Sequence, residues 1–246
     1  MEKVVLITGG ARGIGRQIAK TFAESGYIVV VNYNRSGNLA RSLQQEFDNK
    51  GLVSYFVKAD ISNERQVAKM IDSIIAKYGS IDVLVNNAAT TNDSLFADKT
   101  ANTFNRVLAT NLVGTFNVSK LVGQIMFNNK YGKIINISST NGDNTYFPMC
   151  VEYDASKAGL DSLTHNLAIQ FAPYVNVNAI APGFIATESE TKDMDEEFIA
   201  TEVDKVLLKR AGTEQDVANI VEFLASDKAS YINNQIIKVN GGYYGD

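Results

Sequence analysis

Two residues four apart, Tyr153 and Lys157, carry the chemistry most directly legible in this chain. On a helix predicted over Val151–Phe171 they share one face and can act as a pair. A free phenol, with a pKa of ~10, exchanges protons poorly near neutrality, but a neighbouring ammonium favours the phenolate and makes a usable acid/base. A second constellation lies near the N-terminus, where a predicted strand runs into Thr8-Gly9-Gly10-Ala11-Arg12-Gly13-Ile14-Gly15 and then into an amphipathic helix. Glycines permit positive φ and close backbone approach, and the helix N-terminus offers free N–H groups and a positive dipole end to a pyrophosphate. The glycines at 9, 13 and 15 depart from the G-x-G-x-x-G spacing. An acidic residue about 20 positions beyond such a turn would bind the ribose 2′-hydroxyl of NAD. The second predicted strand instead ends in Val30-Val31-Asn32-Tyr33-Asn34-Arg35, without a carboxylate. Arg35 and Arg12 can converge on a 2′-phosphate through charge-assisted hydrogen bonds, so the expected cofactor is NADP, entering as NADPH.

These groups need a frame. Short β-branched runs alternate with stretches of helical period, the pattern of repeated βαβ units around a parallel sheet. The predicted strands are Lys3–Thr8, Ile28–Tyr33, Val53–Lys58, Val83–Asn86, Lys133–Ile137, Val175–Ile180 and Gln235–Val239. Most are continuous apolar runs, as expected where helices cover both faces of a sheet. Helices are predicted near Ile14–Ser25, Leu39–Lys50, Glu64–Tyr78, Ala101–Phe127, Val151–Phe171 and Glu214–Leu224, with Gly26 and Gly79 as left-handed stops and Ser62 with Gln66 bracketing a start. No linker or composition shift divides residues 1–246. The fold class is therefore α/β: a single doubly wound Rossmann-type domain with a seven-stranded parallel sheet flanked by helices. The acidic stretch Thr187–Asp204 follows the end of a strand, where open α/β sheets bind ligands, and is expected to be either a flexible substrate lid or a solvated surface.

Composition excludes several classes. Lys plus Arg number 23 against 27 for Asp plus Glu, so no broad basic field exists to hold nucleic acid. One cysteine, Cys150, cannot form an internal disulfide, and with the single histidine, His165, it cannot furnish a zinc site, so no metal is expected. His165 is expected in the core or at a subunit interface. Val4–Ile7 is too short for a signal-peptide core, and the uncharged stretch Ser162–Thr187 holds Gln170, Pro173 and Pro182, which disqualify it as a membrane span. A cytoplasmic setting is expected.

In Thr8 to Gly15, Asp60, Asn86-Asn87-Ala88, Asn111, Ser139, Tyr153-Asp154-Ala155-Ser156-Lys157 and Pro182-Gly183, the chain resembles the short-chain dehydrogenase/reductase family along essentially its whole length. The resemblance implies hydride exchange between a nicotinamide cofactor and a carbonyl or alcohol. It assigns Tyr153 as the proton donor during reduction, Lys157 as its charge partner and a ligand of the nicotinamide ribose, and Ser139 as a hydrogen-bond donor to the substrate oxygen. Asn111 would anchor a water and proton path to Lys157. For the cofactor it implies Gly9, Arg12, Gly13, Ile14 and Gly15 around the phosphates, with Asp60 and Ile61 at the adenine. Asn87 and Ala88 would lie beneath the adenine ribose, and Pro182, Gly183, Ile185 and Thr187 beside the nicotinamide. Two positions depart from the family. Ala89 stands where glycine is usual, and Ser139 lies fourteen residues before Tyr153, one more than usual, an interval that Thr140 would restore. Ser139 is preferred because the strand end and Gly142 fix its register, while Ser138 should face away.

Within the family, Val239-Asn240-Gly241-Gly242-Tyr243 and Ala181-Pro182-Gly183-Phe184-Ile185-Ala186-Thr187 look most like 3-oxoacyl-acyl-carrier-protein reductases. That likeness implies an acyl-thioester carbonyl substrate and acyl carrier protein as a partner. Lys130 stands near one basic docking position of those enzymes and Ile169 occupies the other. A dehydrogenase of small sugars, ketones or other alcohols is thus the close alternative, and a non-catalytic dinucleotide-binding sensor the remote one. Apolar residues on two long helices, Leu112, Phe116, Val122, Phe127, Leu160, Leu163 and Leu167, suggest surface left over for association, and the resemblance implies a homotetramer.

Overall fold

Seven parallel strands form one sheet in the order β3-β2-β1-β4-β5-β6-β7, with polar residues such as Asn176 and Asn178 interrupting the apolar runs in several of them. They are β1 (Val4–Ile7), β2 (Ile28–Tyr33), β3 (Ser54–Lys58), β4 (Val83–Asn86), β5 (Gly132–Ile137), β6 (Val175–Pro182) and β7 (Ile236–Val239). The computed structural model describes residues 2–143, 149–187 and 194–244. Its helices are α1 (Gly13–Glu24), α2 (Gly37–Asn49), α3 (Glu64–Tyr78), α4 (Ala101–Leu108), α5 (Thr115–Asn128), α6 (Val151–Phe171), α7 (Glu196–Asp204) and α8 (Glu214–Ala225). One apolar layer joins Ile18, Phe22, Leu43, Phe47 and Val221 of α1, α2 and α8 to one sheet face. The opposite layer joins Met70, Ile74, Val118, Met126 and Phe171 of α3, α5 and α6 to the other. β1 lies between β2 and β4, so the chain reverses its direction of travel across the sheet there, and a crevice opens at the carboxyl ends.

Four local expectations change. The helix foreseen over Ala101–Phe127 is broken by a π-helical turn, Ala109–Gly114, between α4 and α5. Gly114 lies so close to Ile61 that a Cβ there would come 2.7 Å from Ile61 Cγ1, and Asn111 within the turn is held by neighbours outside the helix. Such bulges preserve the apolar stripe on both sides, so periodicity does not reveal them. At the start of α3 the capping side chain is Asn63, which accepts from the Gln66 N–H at 3.1 Å, while Ser62 turns back to Asp60. Of the apolar residues assigned to association, Val122, Leu160 and Leu167 belong to the core; Phe116 remains 42% exposed, beside Val113 at 46%. His165 is not in the core: it is exposed on α6 of the single chain, with Nδ1 2.5 Å from Asn234 Oδ1.

Within the segment Thr187–Asp204, residues 188–193 lie outside the described residues. The remainder is mainly α7, whose start is capped by the Asp195 carboxylate and which buries no residue. No helix among the described residues is long and apolar enough to cross a membrane.

Candidate active site

The crevice is a cavity of about 460 Å³ that runs from the tip of β2 to the start of α6. That is within the ~300–1,000 Å³ usual for sites that take small molecules and cofactors. At its centre is the glycine turn. Gly9 has a φ of 64°, and a Cβ on it would sit 2.8 Å from Ala88 Cα, so only glycine lets β1 and β4 meet this closely. Asn87 fastens the turn from the β4 side, its Nδ2 donating to the carbonyls of Thr8 and Gly9, each at 3.1 Å. The Thr8 hydroxyl accepts from the N–H groups of Asn87 and Ala88 at 3.0 and 3.1 Å. The first residue before α1, Arg12, caps it with no side chain, and no acidic residue occupies the first turn. The first-turn N–H groups of the helix are thus left for an anion.

Gly9, Arg12, Gly13 and Ile14 line the crevice, but Gly15 does not. A Cβ on Gly15 would lie 2.4 Å from Asn87 Nδ2 and 2.6 Å from the Gly9 carbonyl oxygen, so this glycine serves packing of the turn and not direct contact. Ala89 needs no glycine, since its backbone is not among those with positive φ. At the far end Arg12 and Arg35 both line the crevice, and neither makes an ion pair among the described residues. Asp60 lies between the β3 end and α3, with Oδ1 accepting from the Ser62 N–H at 3.0 Å and the Ser62 hydroxyl at 2.7 Å. Partial burial pushes its carboxyl up, but those bonds, with Asn34 and the Arg35 charge, outweigh it and hold the group below the usual carboxylate range. Ile61 lines the wall beside it, with its carbonyl accepting from Asn117 at 3.1 Å.

At the opposite end stand Ser139, Tyr153 and Lys157. The Lys157 Nζ lies 5.3 Å from the Tyr153 ring centroid and donates to the Ile137 carbonyl at 2.6 Å. Lys157 is 3% exposed, and burial pushes its ammonium down to about 8, against an opposing pull from Asp161. Ser139 lies two residues beyond β5 in an extended conformation, its Oγ accepting from the Asn141 N–H at 3.2 Å, whereas Thr140 does not line the crevice. Ser138, expected to face away, is buried and also reaches the lining, because the chain has already left the regular sheet there. Pro182, Gly183, Ile185 and Thr187 complete this end; a Cβ on Gly183 would press to 2.6 Å from Asn240 Cβ, which keeps the segment against β7.

Asn111 is placed differently from expectation. It does not line the crevice, and its side chain is committed: Oδ1 accepts from the Thr90 N–H at 2.8 Å, and Nδ2 donates to the Thr90 carbonyl and the Ser156 hydroxyl, each at 3.0 Å. It clamps the loop after β4 to α6. Thr90, from the stretch Thr90–Phe96 expected to form the substrate pocket, lines the crevice, while sequence reasoning missed Tyr33, Asn34, Ser36, Arg106 and Thr110, which also line it. The rule that loops beyond strand ends face the ligand would have found Tyr33, Asn34 and Ser36. It also missed a buried ion pair beside Tyr153. Lys99 donates to Glu152 at 2.9 Å and to the Asn92 carbonyl at 2.7 Å, tying the 90s loop to the first turn of α6. Burial, with Asp93, pushes the Cys150 thiol up to about 12, which disfavours its thiolate.

A family model described as enoyl-(acyl carrier protein) reductase matches residues 9–244. The 3-oxoacyl-(acyl-carrier-protein) reductase FabG of Staphylococcus epidermidis is 41% identical over 245 residues, covering 99% of this chain and 100% of that protein. The enzyme of the same name from Aquifex aeolicus is 39% identical over 244 residues, covering 98% and 97%. A crystal structure of a gluconate 5-dehydrogenase from Burkholderia cenocepacia, in complex with NADP and tartrate, superimposes with a TM-score of 0.91 at 31% identity, covering 98% of this chain and 95% of that one.

Proposed function

The chain belongs to the short-chain dehydrogenase/reductase family, and on that premise we propose that it is an NADPH-dependent reductase that converts a 3-oxoacyl thioester, carried by acyl carrier protein, to the secondary alcohol. The observation that carries this reading is one continuous crevice with two arginines that make no ion pair among the described residues at one end and the Tyr153–Lys157 pair at the other. Its residues fit a dinucleotide. The backbone at Gly9 admits no side chain, the α1 terminus is uncapped, and no carboxylate stands at the tip of β2 to repel a 2′-phosphate. Arg12 and Arg35 would hold that phosphate, the first turn of α1 the pyrophosphate, and Lys157 the nicotinamide ribose.

When bound, NADPH supplies the hydride. Tyr153 donates its phenolic proton to the carbonyl oxygen as charge develops there, and Lys157 stabilises the phenolate left behind. Ser139 holds the same oxygen through a hydrogen bond: its own proton reaches Asn141 Oδ1 only at 3.4 Å, so it can be redirected to substrate at little cost.

A second reading, a dehydrogenase of small polyols or ketones, is favoured by the gluconate 5-dehydrogenase likeness and by Ile169, which is 74% exposed where a carrier-docking cation would stand. Oxidation of NADPH with thioesters and ketones, and reduction of NADP+ with sugars and alcohols, by the purified protein decide between them. The expected result is turnover with acetoacetyl thioesters exceeding that with any sugar or simple ketone. Turnover of sugars or alcohols without any 3-oxoacyl thioester would reject the carrier-protein reading. Binding of NADPH without turnover of any carbonyl would reject the enzymatic one.

A further inference from the structure

The stripe that begins with Tyr153 and Lys157 continues down α6, four residues at a time, to Asp161 and His165. Asp161 Oδ1 is closed off from water and has no hydrogen-bond partner among the described residues. From its own helix it faces Lys157 one turn above and His165 one turn below. Ser138 faces it from just past the end of β5, its buried hydroxyl favouring the charged carboxylate. Asp143 faces it from the turn after β5 and is itself paired with Lys238 of β7. Gly142, in the same turn, leaves the space the carboxylate occupies: a Cβ there would sit 2.8 Å from Asp161 Oδ2 and 3.1 Å from the Lys157 carbonyl oxygen.

An apolar side chain would fill this position without the cost of desolvating a charge, so the carboxylate needs a compensating role. Lys157 supplies it. That ammonium donates to the Ile137 carbonyl, and of its charged surroundings among the described residues Asp161 is what opposes the effect of burial. We propose that Asp161 is a positioning residue that holds Lys157 in its charged form at neutral pH, and thereby sets the upper pH limit of proton donation by Tyr153. The inference rests on the reductase reading and adds a residue to it.

The sign follows from the charge. Above the lysine's pKa its ammonium is lost, the phenolate formed when Tyr153 gives up its proton loses its partner, and reduction slows. Neutralising Asp161 lowers the lysine's pKa further, so this loss begins at lower pH. For a shift of about one unit, the charged fraction of Lys157 at pH 8 falls roughly fivefold and at pH 6 hardly changes.

Asp161→Asn and Asp161→Leu test this, the leucine filling the same space without charge, with Asp161→Glu as the conservative variant. Two readouts are taken: the pH profile of NADPH-dependent reduction, and the titration of Lys157 by carbon NMR of its Cε, assigned by its absence in Lys157→Met. The second needs neither cofactor nor turnover. The expected result is that the alkaline limb and the lysine titration both move down by about one unit in the Asn and Leu variants and return towards the wild type with Glu. An unmoved lysine titration would overturn the proposal, as would an activity loss equal at every pH. Should the wild type reduce no carbonyl at all, the reductase reading fails, while the NMR titration still decides the role of Asp161.

Discussion

Replacing Tyr153 with phenylalanine is expected to lower the turnover of NADPH-dependent reduction by about 1,000-fold, the middle of the ~10²–10⁴ range that a positioned general acid contributes. Affinity for NADPH should stay within about threefold of wild type, because the change removes one oxygen and leaves the ring that packs 5.3 Å from Lys157 Nζ. Steady-state rates at saturating substrate, with fluorescence titration of NADPH on both proteins, check the two halves separately. A variant that retains more than about a tenth of wild-type turnover would remove Tyr153 from the role of acid, since positioning alone does not replace a proton donor. A variant that loses NADPH binding as well would show that the phenol acts chiefly in assembling the site.

The second large effect concerns cofactor choice. Arg12 and Arg35 line the crevice, are both exposed, and make no ion pair among the described residues. An arginine–phosphate contact in the open is weaker than a buried one, and about tenfold in affinity per arginine is a reasonable discount from the ~1.5–3 kcal/mol of a charge-assisted bond. The double variant Arg12→Ala/Arg35→Ala should therefore bind NADPH roughly 100-fold more weakly while its affinity for NADH changes only a few-fold. Equal losses for both cofactors would mean that the arginines serve the pyrophosphate or the turn itself. No loss for either would leave them as ordinary surface charges.

The parts of this molecule that the sequence discloses are those in which one physical constraint dominates. A strand buried on both faces must be apolar throughout, so β1, β2, β4 and β5 stand out as runs. The order of turns at strand ends then places Gly9, Asn87, Ser139 and Pro182 at one edge. Tyr153 and Lys157 are visible as a pair because helical spacing is local. What escapes is what depends on contact between distant segments. Lys99 and Glu152 lie 53 residues apart, and neither signals that the other will meet it in the interior. Asn111 bears the right residue type, yet the π turn aims its amide at Thr90 and Ser156 instead of the crevice. Gly15 belongs to the phosphate-turn pattern but is required by Asn87, a residue on another strand. Asp161 looks like one more polar position on a long helix until β5 and Gly142 close over it.

These misses also show how the site is held. The glycine turn is stapled to β4 by Thr8 and Asn87, the loop after β4 is clamped to α6 by Asn111, and the 90s loop is pinned beside Tyr153 by Lys99. Each fastening joins a loop to the rigid sheet or to α6, which is how a crevice made of loops can hold reacting groups at fixed separations.

The crystal structure of this chain with NADPH bound tests the central claim most directly. The account predicts the 2′-phosphate between Arg12 and Arg35 and the nicotinamide ring beside the Tyr153 hydroxyl, with its ribose on Lys157. A nicotinamide ring lodged away from Tyr153, with that hydroxyl turned to bulk solvent, would contradict it.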